Sequence, residues 1–251
     1  MLDRPNPIDG VTIEGPILEP DYTSFVGIAP IPVRYGLTIG ELARFMNATM
    51  GLGADLTVVS MEGWRRQMGF EDTGQPWVPT SPAMPHISTA ILYTGMCLLE
   101  GTNLSEGRGT ALPFEVCGAP WIDGHVLAAE LNALALPGVR FRAMQFVTAQ
   151  GGKFGGQLCA GVQVHVLDRA SCRPVTVGLH LISVIKARYP GDFAWREQSW
   201  EGKHAHFDLL MGTGRVRQAL DAGTEVRALV QSWAGDLEAF AVACQPYRLY
   251  A

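Results

Sequence analysis

The chain has 251 residues, 47% hydrophobic and 17% charged, with 29 glycines and 16 prolines. That length holds one large domain or two small ones with a sizeable core, and the composition excludes a disordered tail, a coiled coil and a disulfide-stapled mini-protein. Nineteen basic residues against 24 acidic ones leave a net charge of −5, which argues against nucleic acid or an anionic membrane surface as the partner.

In chain order, the start Met1-Leu-Asp-Arg-Pro-Asn-Pro7 places charges and prolines where a signal peptide would be apolar. Apolar stretches elsewhere stop well short of the roughly 18 residues of a membrane span. As written the chain reads as cytoplasmic; an upstream gene start would make it periplasmic or secreted. Residues 1–36 are rich in Pro and Gly and read as extended, turn-rich backbone leading into a body over residues 37–251. Thr38 and Glu41 have capping-box spacing, and Ile39, Leu42, Phe45 and Met46 recur at helical intervals until Gly51 and Gly53. Residues 55–61 read as a short strand, and residues 62–124 as a long irregular segment of the kind that often carries function.

A helix is expected over residues 125–136, ended by Pro137-Gly138, and strands over 139–147 and 161–168. Residues 174–189 read as a helix with Pro174 at its start, Lys186 and Arg188 in its last turn and Pro190 beyond. A shorter helix over 215–220 and one long amphipathic helix over 225–244 complete an α+β chain. Five widely spaced cysteines with no Cys-x-x-Cys pair read as buried thiols.

The densest polar segment is Glu100-Gly-Thr-Asn-Leu-Ser-Glu-Gly-Arg-Gly-Thr110. Its side chains are those that hydrogen-bond sugar hydroxyls and acetamides, and an arginine fork can clamp a carboxylate. A solvated loop with a turn at Gly107 is the plainer reading, but entry from the apolar run 96–99 puts Glu100 at the mouth of a buried element. Neither Gly151-Gly152-Lys153 nor Gly212-Thr213-Gly214-Arg215 has the spacing of a phosphate loop. No histidine pair has metal-ligand spacing with a carboxylate or thiol partner except His204-Ala-His206 near Asp208, which reads as a surface loop. No Gly-x-Ser-x-Gly elbow occurs. No metal or cofactor is expected. Carboxylate acid–base chemistry stays open, with Glu14, Glu62, Asp72, Glu100 and Glu106 as candidates. Arg34 is suited to an anionic substrate or to a neighbouring acid.

Several blocks carry a resemblance. Leu2-Asp-Arg-Pro-Asn-Pro7, Glu14-Gly-Pro16, Pro32-Val-Arg-Tyr-Gly-Leu-Thr-Ile-Gly-Glu41, Ser81-Pro-Ala-Met-Pro85, Glu100-Gly-Thr-Asn103, Gly107-Arg-Gly-Thr110, Cys159-Ala-Gly-Val-Gln163 and Tyr247-Arg-Leu-Tyr250 fall in the order seen in the NamZ-type exo-β-N-acetylmuramidases. The resemblance implies removal of terminal N-acetylmuramic acid from the non-reducing end of peptidoglycan fragments, with a muropeptide or amino-sugar saccharide as ligand. It also implies a cleft between a Rossmann-like N-terminal domain and an α/β C-terminal domain. By that comparison the chain is the C-terminal portion alone. The Rossmann-like half, with its Pro-Glu-His-Gly motif, is expected to be missing, which predicts an exposed apolar face near residues 1–35 and poor solubility or homodimerisation. Tyr35 and Ala83 stand where the family commonly has His and Asn.

The site residues implied are Glu100 and Glu14 as catalytic carboxylates, with Arg34, Thr102, Asn103, Arg108, Asp3 and Asn6 as sugar-binding groups. A non-catalytic saccharide-binding half of a split or truncated hydrolase is the alternative.

Overall fold

Thr38 opens the first helix as its spacing predicts: its Oγ1 accepts the Glu41 amide at 3.2 Å, and the Glu41 carboxylate accepts the Thr38 amide at 3.0 Å. The structure, a computed structural model, describes residues 1–199 and 202–251. Helix α1 covers Ile39–Thr49, and Gly51, at a φ of 63°, turns the chain beyond it. Before it, strands β1 (Glu14–Ile17) and β2 (Pro32–Arg34) pair antiparallel with Glu14 opposite Arg34.

The strand expected over residues 55–61 is a single parallel bridge between Leu2 and Val59. Its partner segment is too short to continue, because Pro5 and Pro7 carry no amide to extend a ladder. Residues 62–124, expected to be irregular, hold helix α2 (Ile87–Met96), a 3₁₀ turn (Cys97–Gly101) and strand β3 (Val116–Ala119). Helix α3 (Gly124–Ala133) ends earlier than expected. Strand β4 (Val139–Val147) has the expected bounds, and β5 (Leu158–Val166) begins and ends earlier than its pattern suggests. The three strands form one antiparallel sheet in the order β3-β5-β4, with β4 and β5 in unbroken register from Val139 opposite Val166 to Val147 opposite Leu158.

The free edge of β4 is partly blocked. The Asn132 side chain accepts the Phe141 amide at 3.1 Å and donates to the Phe141 carbonyl at 2.7 Å, standing in for a fourth strand at that point.

Helix α4 (Pro174–Arg188) crosses α2 at two facing glycines. A Cβ on Gly95 would lie 1.7 Å from the Pro174 carbonyl oxygen, and one on Gly178 would lie 2.3 Å from the Gly95 carbonyl oxygen. Since the obstructing atoms are backbone, the helices must separate to admit a methyl group. Gly95→Ala should therefore cost about 3 kcal/mol of unfolding free energy, read as a lower urea midpoint.

Helices α5 (His206–Met211) and α6 (Arg215–Asp221) follow; α5 has no counterpart in the sequence reading. The expected single helix over 225–244 is two, α7 (Val226–Gln231) and α8 (Ala234–Cys244). The break at Ser232, whose Oγ donates to the Leu229 carbonyl at 2.6 Å, lets the halves serve different cores. Val226, Leu229 and Trp233 enter the main core beside α2, α4 and the sheet, whereas Phe240 and Cys244 pack with Leu37, Leu42 and Phe45.

All five cysteines are buried and unpaired. Among the described residues, no helix is long and apolar enough to cross a membrane. Exposed apolar side chains among residues 1–35 include Leu2, Val11, Phe25 (87% exposed), Val26 and Ile28, and others such as Val78 and Leu167 lie later in the chain.

Candidate active site

The 3₁₀ turn at the end of α2 carries Glu100 out of the core. Tyr93, Cys97 and Glu100 recur at spacings of four and three, which places them along one side of this element. Beyond it the chain folds back as a loop over residues 102–114. Thr102 is buried; its Oγ1 donates to the Leu99 carbonyl at 2.8 Å and accepts the Leu104 amide at 3.1 Å. Asn103 donates to the Asp192 carbonyl at 2.7 Å and accepts the Ala194 amide at 3.0 Å. Both residues implied as sugar ligands thus shape the loop that holds the charged groups.

Those groups converge. Arg108 Nε donates to Glu100 Oε1 at 2.9 Å and lies 3.7 Å from Glu106 Oε1, so one nitrogen lies between two carboxylates. The Arg108 guanidinium rests 4.7 Å above the centre of the Phe114 ring, and Tyr93 meets that ring edge-on at 4.8 Å. Lys153 reaches in from the loop after β4 and lies 3.1 Å from Glu106 Oε2. Burial pushes the Glu100 carboxyl above its usual range; Arg108 opposes the shift, and the neighbouring charge of Glu106 reinforces it. The Tyr93 phenol is pushed up to about 12, first by burial and then by Cys97 and Glu100.

Tyr93 and Cys97 also line a cleft of about 440 Å³, with Thr94 beside them and Val33, Tyr35 and Leu210 on other walls. A larger hollow of about 810 Å³ lies between the start of α3 and residues 142–145. Its one carboxylate, Asp123, is engaged in capping α3. Glu100, Glu106 and Arg108 line neither hollow; the charged cluster adjoins the first cleft through Tyr93 and Cys97.

The other four implied residues are placed elsewhere, as parts of the frame. Glu14, 5% exposed, caps α4: its carboxylate accepts the Thr176 amide at 3.0 Å, the Thr176 hydroxyl at 2.9 Å and the Val175 amide at 3.4 Å. Arg34 is buried opposite it, donating to Asp9 Oδ2 at 2.9 Å and to the Ile8 carbonyl. Asp3 accepts the Gly40 amide at 2.8 Å, the Thr38 hydroxyl at 2.7 Å and the Tyr250 hydroxyl at 2.6 Å. Asn6 donates to the Leu37 carbonyl at 2.9 Å.

None of these four makes a hydrogen bond or ion pair with Glu100, Glu106 or Arg108 among the described residues. The two histidines of His204-Ala-His206 part company as well. His204 lies against the Tyr22 ring, while His206 is buried at the start of α5, where burial lowers its pKa to about 4. Sequence reasoning missed Lys153, Phe114 and Tyr93 as members of the cluster. Only the fold brings Lys153 to Glu106.

A partly buried carboxyl held by an arginine, near two residues of a cleft wall, is suited to carboxylate-dependent glycoside hydrolysis. The comparisons agree with that class. Residues 91–250 match the family model for the C-terminal part of exo-beta-N-acetylmuramidase NamZ, and residues 1–88 match the model for its N-terminal part. The chain belongs to the NamZ exo-β-N-acetylmuramidase family.

Over 250 residues it is 46% identical to the peptidoglycan beta-N-acetylmuramidase NamZ of Bacillus subtilis (strain 168), covering 100% of this chain and 59% of that protein. Two crystal structures of DUF1343 family proteins from Bacteroides fragilis NCTC 9343 share the fold. One has a TM-score of 0.91 at 35% identity, the other 0.74 at 29%, each covering 99% of this chain and 65% of the other. The expectation of a C-terminal portion alone is thereby corrected, since residues 1–88 belong to the family's N-terminal part. The chain still spans less than two thirds of the length of these relatives.

Proposed function

We propose that the chain acts on peptidoglycan fragments, cleaving terminal β-linked N-acetylmuramic acid from the non-reducing end, with Glu100 as the carboxyl that serves the glycosidic bond. The observation that carries this reading is the Glu100 environment: a carboxyl raised by burial yet still 21% exposed, in contact with Arg108 and near Tyr93 and Cys97, which line a cleft. In hydrolysis the bond between the anomeric carbon and the leaving oxygen breaks, and that oxygen takes the Glu100 proton. Water adds to the anomeric carbon and its proton returns to the carboxylate. Glu106, across Arg108, is the second carboxylate within reach of the same cation. Arg108 is the group suited to the lactyl carboxylate that distinguishes muramic acid.

A second reading is favoured by the 59% coverage of the curated relative and by the absence of Pro-Glu-His-Gly from these 251 residues. In it, the chain binds the saccharide while a further segment completes the catalytic pair. Release of chromophore from an aryl β-N-acetylmuramide by the purified chain tests the first reading. Calorimetric binding of N-acetylmuramic acid without turnover would favour the second.

A further inference from the structure

We propose that Lys153 and Glu106 form a positioning pair, which holds the Glu100-bearing turn closed and keeps Glu100 set against Arg108. The inference rests on the reading of Glu100 as the reacting carboxyl and extends it to residues outside the Glu100–Arg108 contact.

Lys153 Nζ donates to three backbone carbonyls: Leu99 at 2.9 Å, Thr102 at 3.0 Å and Leu104 at 2.8 Å. An ammonium has three protons, and these carbonyls use all of them. Glu106 Oε2, at 3.1 Å, therefore receives the charge of Lys153 without a hydrogen bond. The three carbonyls bracket Glu100 on both sides in sequence. Without a cation between them, three carbonyl oxygens directed at one point would repel one another, so the closed turn depends on Lys153.

The loop that carries Lys153 is itself fastened to the same segment. The Ala149 amide donates to the Gly109 carbonyl at 3.1 Å, and the Thr148 hydroxyl donates to the Lys153 carbonyl at 2.8 Å. Lys153 thus ties two loops together at the point where Glu100 and Arg108 meet.

The groups facing Glu100 come from several elements. Tyr93 and Cys97 lie on the α2 side and Glu106 and Arg108 on the following loop, with Lys153 opposite. Arg196 and His206 lie near Lys153 from the side of α5. Of these, Lys153 favours the ionised form of Glu100 and Glu106 disfavours it, so the two members of the pair act on Glu100 with opposite sign. A latch that fastened the loops without bearing on Glu100 would leave its titration unmoved when either member is neutralised.

The test is a carboxyl ¹³C NMR titration of the 251-residue chain labelled at glutamate, with the Glu100 signal identified by its loss in Glu100→Gln. Lys153→Met is expected to move the Glu100 midpoint up and Glu106→Gln to move it down, with Glu106 the stronger influence of the two. Glu106→Gln is isosteric and decides the matter if Lys153→Met does not fold. A Glu100 midpoint unmoved in the folded variants, or moved the same way by both, overturns the proposal.

Turnover of the aryl β-N-acetylmuramide is followed in parallel. Opposite midpoint shifts in a chain without turnover would uphold the pair and count against the hydrolase reading. Turnover with unmoved midpoints would do the reverse.

Discussion

Glu100→Gln is expected to cut release of the aryl group from an aryl β-N-acetylmuramide by about 10²–10⁴-fold, with little change in KM or in thermal midpoint. The glutamine is isosteric, and its carbonyl oxygen can still accept from Arg108 Nε, so the loop and the Phe114 contact have no reason to move. What it cannot do is release and recover a proton. The pH profile carries the same signature. Because burial raises the Glu100 pKa, the protonated form persists to higher pH than in an ordinary carboxylate, and the rate it supports declines as pH rises through that raised value. Full activity in the variant, measured with pure folded protein, would remove Glu100 from the mechanism.

Glu14→Ala should lower the unfolding free energy by about 3 kcal/mol, measured by urea denaturation at neutral pH. Three donors at the start of α4 lose their acceptor, and buried Arg34 loses the nearby charge of Glu14 while keeping its contact with Asp9. Glu14→Gln is expected to cost less than Glu14→Ala.

Desolvation raises the Glu14 pKa above 4.5, and the Thr176 contacts and Arg34 only partly oppose it. The folded state therefore binds this proton more tightly than the unfolded chain does. The proton-linked part of the Glu14 contribution is fullest below the unfolded midpoint near 4.5 and falls as pH rises through the raised folded value, while the hydrogen bonds to α4 remain at neutral pH. That slope should vanish in the glutamine variant. An alanine variant as stable as the parent at neutral pH would show that Glu14 is not a strut.

These two glutamates show where a linear reading works and where it stops. Both stand in motifs that identify the family, yet one carboxyl stays partly exposed against an arginine and the other is enclosed against a helix end. Nothing in residue type or spacing separates the two roles, because the partner of Glu14 lies more than 160 positions away in sequence.

Local signals were legible where a segment carries its own punctuation. The Thr38–Glu41 box, the bounds of β4 and the proline-started α4 all follow from neighbouring residues. Helix α2 was not legible, because Thr89, Ile91, Leu92 and Met96 are buried on more than one side and leave no polar face to set a period. The split between α7 and α8 comes from two separate cores, which no periodicity within residues 225–244 records. In the cluster, Glu100 and Arg108 were legible as neighbours in one polar segment. Lys153 came only with the sheet, whose β4–β5 connection carries it back to the 3₁₀ turn.

The Asp3 contacts bear on how the molecule comes apart. One carboxylate joins the first residues to the start of α1 and to Tyr250, and the Arg66 amide donates to the Ala251 carbonyl at 3.1 Å. Segments held by few contacts ordinarily open independently and exchange their amides first. Here residues 1–3, the start of α1 and residues 250–251 share that carboxylate, so they are expected to open together and not one by one.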